Sequence, residues 1–151
     1  DRVNCEAVLS LTHFFAQKFK QQNRGGIIFL SSLVAFQGVP YASNYAATKA
    51  YIQSFAEALA VELKPFNVDV LAAAPGPVES GFGHRSNMKM GKALVPSQLG
   101  VPILNALGKQ TNVLPGLLSK ILIYSLRTVP RWAKIKIMQK VMGGFTEHQR
   151  K

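Results

Sequence analysis

The chain has 151 residues, 48% of them hydrophobic and only 17% charged. Such a composition buries a core, which excludes a disordered tail, a low-complexity linker and a collagen-like fibre. The length suits one compact domain or a large piece of one. The net charge of +11 is one-sided: residues 1–79 carry six Lys/Arg against six Asp/Glu, whereas residues 80–151 carry twelve Lys/Arg against Glu147 alone. Either the carboxyl half meets an anionic partner (a phosphorylated ligand, a membrane surface or nucleic acid), or it is a solvated basic face balanced by acidic residues elsewhere. No apolar run reaches the roughly 18 residues that span a bilayer; the nearest, Leu117 to Leu126, is broken by Lys120. No basic-then-apolar leader opens the sequence. The lone Cys5 excludes an internal disulfide and a cysteine zinc site. These features predict a soluble, cytoplasmic protein, and the opening Asp1 places its true start upstream.

In chain order, Val8, Leu11, Phe15 and Phe19 recur at spacings of three and four and predict an amphipathic helix over residues 3–22, stopped by Asn23-Arg24-Gly25-Gly26. Ile27 to Leu30 is an unbroken apolar run, the mark of a strand buried on both faces of a parallel sheet. Ser31 to Ser43 reads as a loop, and Asn44 to Lys64 as a strong helix closed by Pro65. Val68 to Ala73 is a second buried strand, ended by Pro75-Gly76-Pro77. Residues 79–96 read as a mobile loop, followed by a helix over Ser97 to Leu107 that Pro102 weakens. Thr111 to Leu114 is a candidate third strand, and Leu117 to Leu126 and Arg131 to Met142 look helical, with Gly143-Gly144 as the stop. The alternation predicts a parallel α/β sheet, with any ligand beyond the carboxyl ends of its strands, at Ser31-Ser32 and Ala74-Pro75-Gly76.

Tyr45 and Lys49, four apart on a helix, share one face. With four Tyr and twelve Lys in the chain, chance supplies about 0.3 such pairs, so the pair alone is weak. Its company is stronger: Ser32 closes a buried strand thirteen residues before Tyr45, Pro75-Gly76-Pro77-Val78-Glu79-Ser80 closes the next, and Asn4 begins the preceding helix. In order and spacing these residues resemble the short-chain dehydrogenase/reductase superfamily, closely over residues 1–80 and loosely beyond, where the pattern is similar to its ketoacyl-reductase-like branch.

The resemblance implies the carboxyl-terminal portion of a Rossmann-type, doubly wound parallel sheet in three αβα layers, without the amino-terminal nucleotide-binding half; no glycine-rich phosphate turn occurs in the sequence. Residues 1–151 would then form one partial domain, with a catalytic segment to residue 80, a mobile substrate loop over 81–100, and a strand with basic helices over 101–151. The implied function is an NAD(P)-dependent oxidoreductase that interconverts a carbonyl and a secondary alcohol. NADP is slightly favoured by the resemblance. Tyr45 would be the acid/base, and Ser32 would hydrogen-bond the substrate oxygen. Lys49 would hydrogen-bond the nicotinamide ribose and acidify Tyr45, while Asn4 would hold a water behind Lys49. Backbone groups around Pro75, Gly76 and Val78, with the Ser80 hydroxyl, would fix the cofactor's carboxamide. A phenol titrating near ~10 needs a drop of about three units, roughly 4 kcal/mol, to serve near neutrality. One ammonium about 4 Å away at an effective dielectric near ~20 supplies that order of energy, so a helical Lys at the next turn with an oxidised nicotinamide nearby is the expected perturbing pair.

A small apolar carbonyl or alcohol substrate is expected from Phe36, Val39, Phe82, Met88 and Met90 in the loops. A homodimer or homotetramer is implied by the resemblance. Each residue also has a plainer reading: Tyr45 as an ordinary helix residue, Ser32 as a turn cap with Ser31 its rival, Asn4 as a helix-start residue. His13, His84 and His148 are scattered, so no metal site is expected, and no nucleophile elbow or Walker loop occurs. Nucleic-acid binding would rest on charge alone and is not expected. Arg131, Lys134, Lys136 and Lys140 interleave with Trp132, Ile135, Ile137 and Met138, as in a helix on an anionic membrane; but Arg131 and Lys134 fall inside the apolar arc, as in a packed helix with snorkelling lysines. The alternative to an enzyme is an inactive fragment or pseudoenzyme with an interaction or membrane-docking role.

Overall fold

The structure, a computed structural model, describes residues 2–88 and 93–147, apart from the side chain of Leu118. Three strands, β1 (Gly25–Leu30), β2 (Val68–Ala73) and β3 (Asn112–Val113), form one all-parallel sheet in the order β1-β2-β3. Gly25 pairs with Val68 and Leu30 with Ala73, so β1 and β2 end level.

The strand pleat sorts the core into two layers. Val68, Val70 and Ala72 face a cluster with Phe29 and with Ile52, Ala56, Ala60 and Leu63 of helix α2 (Ser43–Leu63). Val8, Ala16 and Phe19 of α1 (Ala7–Gln22) pack on the same cluster. Leu71 and Ala73 point the other way, to Leu99, Ile103 and Ala106 of α4 (Pro96–Ala106). Successive residues on opposite faces, each meeting a helix, account for apolar residues at every position of β2 but Asp69. A third cluster joins Val39 and Ala46 to Met142 of α6 (Arg131–Thr146).

Several elements depart from the sequence expectation. The first helix begins with a wide π-type turn, Arg2–Glu6, and of its expected apolar stripe Val8 and Phe19 pack inward, whereas Leu11 and Phe15 are exposed. Asn23 stops α1 in the left-handed region, but Gly25 and Gly26 belong to β1 rather than to the turn. A side chain at Gly25 would collide with the Phe19 ring, and one at Gly26 would lie 2.8 Å from Leu107; close packing of helices on this strand selects glycine there. The loop after β1 holds a 3₁₀ turn, Leu33–Phe36, and the stretch expected to be irregular holds helix α3 (Phe82–Arg85) and a parallel bridge between Val78 and Leu94. Helix α4 runs through Pro102. Gly143-Gly144 does not stop α6, which continues to Thr146. Two helical glycines cost about 1 kcal/mol each, and the last turn offsets this by burying Met142 and packing Phe145 against Val39 and Ala46.

Candidate active site

Beyond the level carboxyl ends of β1 and β2 lies a cavity of about 620 Å³. Ser32, Tyr45, Lys49, Pro75, Gly76, Val78 and Ser80 all line it. The local chain explains why. Ser31's N–H donates to the Ala73 carbonyl at 2.8 Å and Leu33's to the Pro75 carbonyl at 3.1 Å, so the two chains stay paired for one step past the strands. Ser32 falls between them and caps the 3₁₀ turn, accepting from the Val34 N–H at 3.4 Å. Helix α2 then returns with Tyr45 and Lys49 in its first two turns.

Ser31 and Ser32 both line the cavity and make different contacts. The buried Ser31 hydroxyl donates to the Lys49 carbonyl at 3.1 Å and ties the strand end to the helix. Ser32 is hydrogen-bonded to Tyr45, and its role as a turn cap coexists with that contact. Lys49 Nζ donates to the Leu30 carbonyl at 2.8 Å and lies 5.7 Å from the Tyr45 ring centroid.

The electrostatics of the chain alone supply only part of the expected perturbing pair. Burial pushes the Tyr45 phenol above its usual range, and the Ser32 hydrogen bond only partly opposes that rise. Burial likewise lowers the Lys49 ammonium. The ammonium is engaged by a carbonyl rather than aimed at the phenol, and it does not acidify Tyr45 in the chain by itself. The desolvation of both groups outweighs their mutual attraction.

Asn4 and Phe36 are not brought to this cavity. Asn4 Nδ2 donates to Thr48 Oγ1 at 3.3 Å, and that hydroxyl donates in turn to the Tyr45 carbonyl at 2.9 Å. Asn4 therefore braces the α2 turn beside Lys49. Phe36 follows the 3₁₀ turn into a neighbouring cavity of about 450 Å³ lined by Gln53, Asn112 and Arg127. Val39 is fully packed in the third core cluster. Phe82 and Met88 do line the larger cavity, and the Phe82 ring lies 5.4 Å from that of Tyr45; Met90 lies outside the described residues. The residues missed by sequence are Met138, Val141, Met142 and Phe145 of α6, which form the apolar wall opposite Tyr45. Their spacing of three and four is a helical face; Phe145 lies past the expected end at Met142, and the other three sit among the basic residues that suggested a surface helix. Among the described residues no cluster of metal-ligating side chains occurs.

Residues 2–91 match the short chain dehydrogenase family. The chain belongs to that family. It is 34% identical over 84 residues to a 3-ketodihydrosphingosine reductase of Bacteroides thetaiotaomicron, a match covering 56% of this chain and 29% of that protein. A solved 7beta-hydroxysteroid dehydrogenase superposes with a TM-score of 0.80 at 27% identity, over 90% of this chain and 56% of the other. A short chain dehydrogenase from Burkholderia cenocepacia, solved in complex with NADP, gives 0.76 at 22% identity over the same shares. The chain spans well under half the length of the curated relatives it matches. Its three-layer parallel sheet is part of the Rossmann fold of these dehydrogenases.

Proposed function

We propose that these residues form the catalytic and substrate-binding part of an NAD(P)-dependent oxidoreductase that interconverts a carbonyl and a secondary alcohol on an apolar substrate. The observation that carries the reading is the convergence of the Tyr45 phenol, its hydrogen-bond partner Ser32 and the Lys49 amine on one wall of a 620 Å³ cavity whose opposite wall is apolar. In the reducing direction Tyr45 delivers its proton to the carbonyl oxygen as the carbon receives a hydride, and Ser32 donates a hydrogen bond to the same oxygen. Oxidation reverses both transfers.

The donor set suits a nicotinamide cofactor. The Val78–Leu94 bridge uses the Pro77 carbonyl and the Glu79 N–H. Among the described residues this leaves the N–H groups of Gly76 and Val78 without a partner. They are available, with the Ser80 hydroxyl, to a carboxamide, while Lys49 and Tyr45 are placed for a ribose. A nicotinamide held there would supply or accept the hydride. In this reading the segment to residue 80 provides the chemistry, Phe82, Arg85 and Met88 the near side of the substrate cavity, and the carboxyl-terminal helices its far wall. Assembly as a homodimer through α1 and α2 belongs to the same reading, supported by the exposed Leu11, Phe14 and Phe15 of α1.

The test is Tyr45→Phe in the protein, assayed with NADPH and NADH against a panel of apolar ketones. Turnover disappears while cofactor affinity stays within a few-fold. Undiminished turnover in this variant refutes the reading.

A further inference from the structure

The carboxyl half has an outer face that the catalytic reading does not use. Helix α5 (Leu117–Ser125) turns Leu122 toward the cavity. On its outer side Leu117, Ile121 and Tyr124 are 74%, 54% and 62% exposed, at i, i+4 and i+7 and so in one row. Trp132, at the start of α6, is 65% exposed. Cations accompany these residues along the chain: Lys120 in α5, the exposed Arg127 after it, which with Tyr124 also edges the smaller cavity, and Arg131 and Lys136 around Trp132, with Lys136 Nζ 5.4 Å from the indole. Residues 117–146 contain no Asp or Glu. Among the described residues the ion pairs are Arg2–Glu6 and Lys64–Asp69, so these cations have no acidic partner within the described residues.

We propose that α5 and the first turn of α6 form a docking surface for an anionic lipid bilayer. Four large apolar groups accompanied by cations match both layers of an acidic membrane surface: the aliphatic side chains reach the acyl boundary, Tyr and Trp settle at the headgroups, and Lys and Arg meet the lipid charge. Charge decides against a second copy as occupant. A two-fold interface would set Lys120, Arg127, Arg131 and Lys136 against the same residues of the other copy. Among the described residues no helix is long and apolar enough to cross a membrane, so the contact lies in the interface plane. The surface does not depend on the proposed reaction, and its test needs no turnover.

The experiment is co-sedimentation with phosphatidylcholine vesicles and with vesicles containing a quarter phosphatidylserine, combined with the emission of Trp132, the one tryptophan of these 151 residues. Binding and a blue shift are expected with the acidic vesicles alone, and both vanish near ~0.5 M salt. Lys120→Ala with Arg127→Ala weakens binding about 25-fold, at about fivefold per cation, and Ile121→Asp, an exposed position that leaves folding unchanged by circular dichroism, abolishes it. Three results would each overturn the proposal: no binding to acidic vesicles at low salt, binding indifferent to these substitutions, or self-association through this face without vesicle binding. Capture of an acidic polypeptide in place of vesicles would overturn it as well.

Discussion

Ser31 and Ser32 are adjacent, yet their hydroxyls reach different things, so two alanine variants separate scaffold from chemistry. The buried Ser31 hydroxyl donates to the Lys49 carbonyl at 3.1 Å. That carbonyl lies inside α2 and keeps its helical N–H partner one turn on, so Ser31→Ala strands no acceptor. The loss is one neutral hydrogen bond, about 1 kcal/mol, or about 2–4 °C in Tm for a chain of this size. Turnover falls only modestly, because Lys49 remains held through Leu30. Ser32→Ala behaves in the opposite way. Its bond from the Val34 N–H, at 3.4 Å, is long and weak, so stability changes by less than about 0.5 kcal/mol. Removing the one neutral donor beside Tyr45 lowers kcat by about 10²–10³, the scale of an oxyanion-site deletion. Urea midpoints followed by circular dichroism read the first quantity, and NADPH oxidation in the protein reads the second. If Ser31→Ala abolished turnover while folded, or Ser32→Ala preserved it, the division of labour argued here would be wrong.

Leu71 is fully buried where β2 meets α4, and Leu71→Ala is expected to lower stability by about 3–4 kcal/mol, read as a fall in urea midpoint at unchanged slope. Alkaline titration separates the two buried groups of the site by sign. Burial raises Tyr45, so its contribution to stability is intact below about pH 10 and is lost as pH rises through the folded-state value. Tyr45→Phe therefore keeps more of its neutral-pH stability under alkaline conditions than the unchanged protein. Burial lowers Lys49, so its charged form opposes folding until pH rises through its folded-state value, and this penalty fades towards about pH 10.4. Lys49→Met consequently loses more stability than the unchanged protein over the same interval; urea midpoints across that range check both signs.

What the sequence made legible was whatever is decided within a few residues. Val68 to Ala73 is a strand with the expected bounds: all but Asp69 are apolar, because a strand covered on both faces needs no regular polar alternation. Ser32, Tyr45 and Lys49 meet because a strand end and a helical repeat fix each of them locally. Contacts made across the chain were not legible in this way. Gly25 and Gly26 look like a turn until Phe19 and Leu107 are seen pressing on them. Phe36 and Phe82 sit in similar-looking loops, and only the 3₁₀ turn that Ser32 caps sends Phe36 to the neighbouring cavity. In the carboxyl-terminal helix the apolar residues alternate with cations, and which of them face the cavity depends on the packing of Met142 and Phe145 against Val39 and Ala46, which no local pattern announces.

The Tyr45–Lys49 pair shows how far spacing alone can carry an electrostatic argument. Four residues on a helix guarantee a shared face, and a cation on that face would acidify a phenol at the distance first supposed. Lys49 Nζ lies 5.7 Å from the Tyr45 ring centroid and the ammonium is turned to the Leu30 carbonyl, whose partial negative charge offsets part of its field at the hydroxyl. Burial, which spacing does not report, acts on both groups in the sense that suppresses charge. Acidification of Tyr45 to the neutral range therefore has to come from positive charge brought into the cavity, or from a shift of Lys49 off its carbonyl towards the phenol. Both routes leave the Ser32 hydrogen bond in place as the one intrinsic contribution of the correct sign.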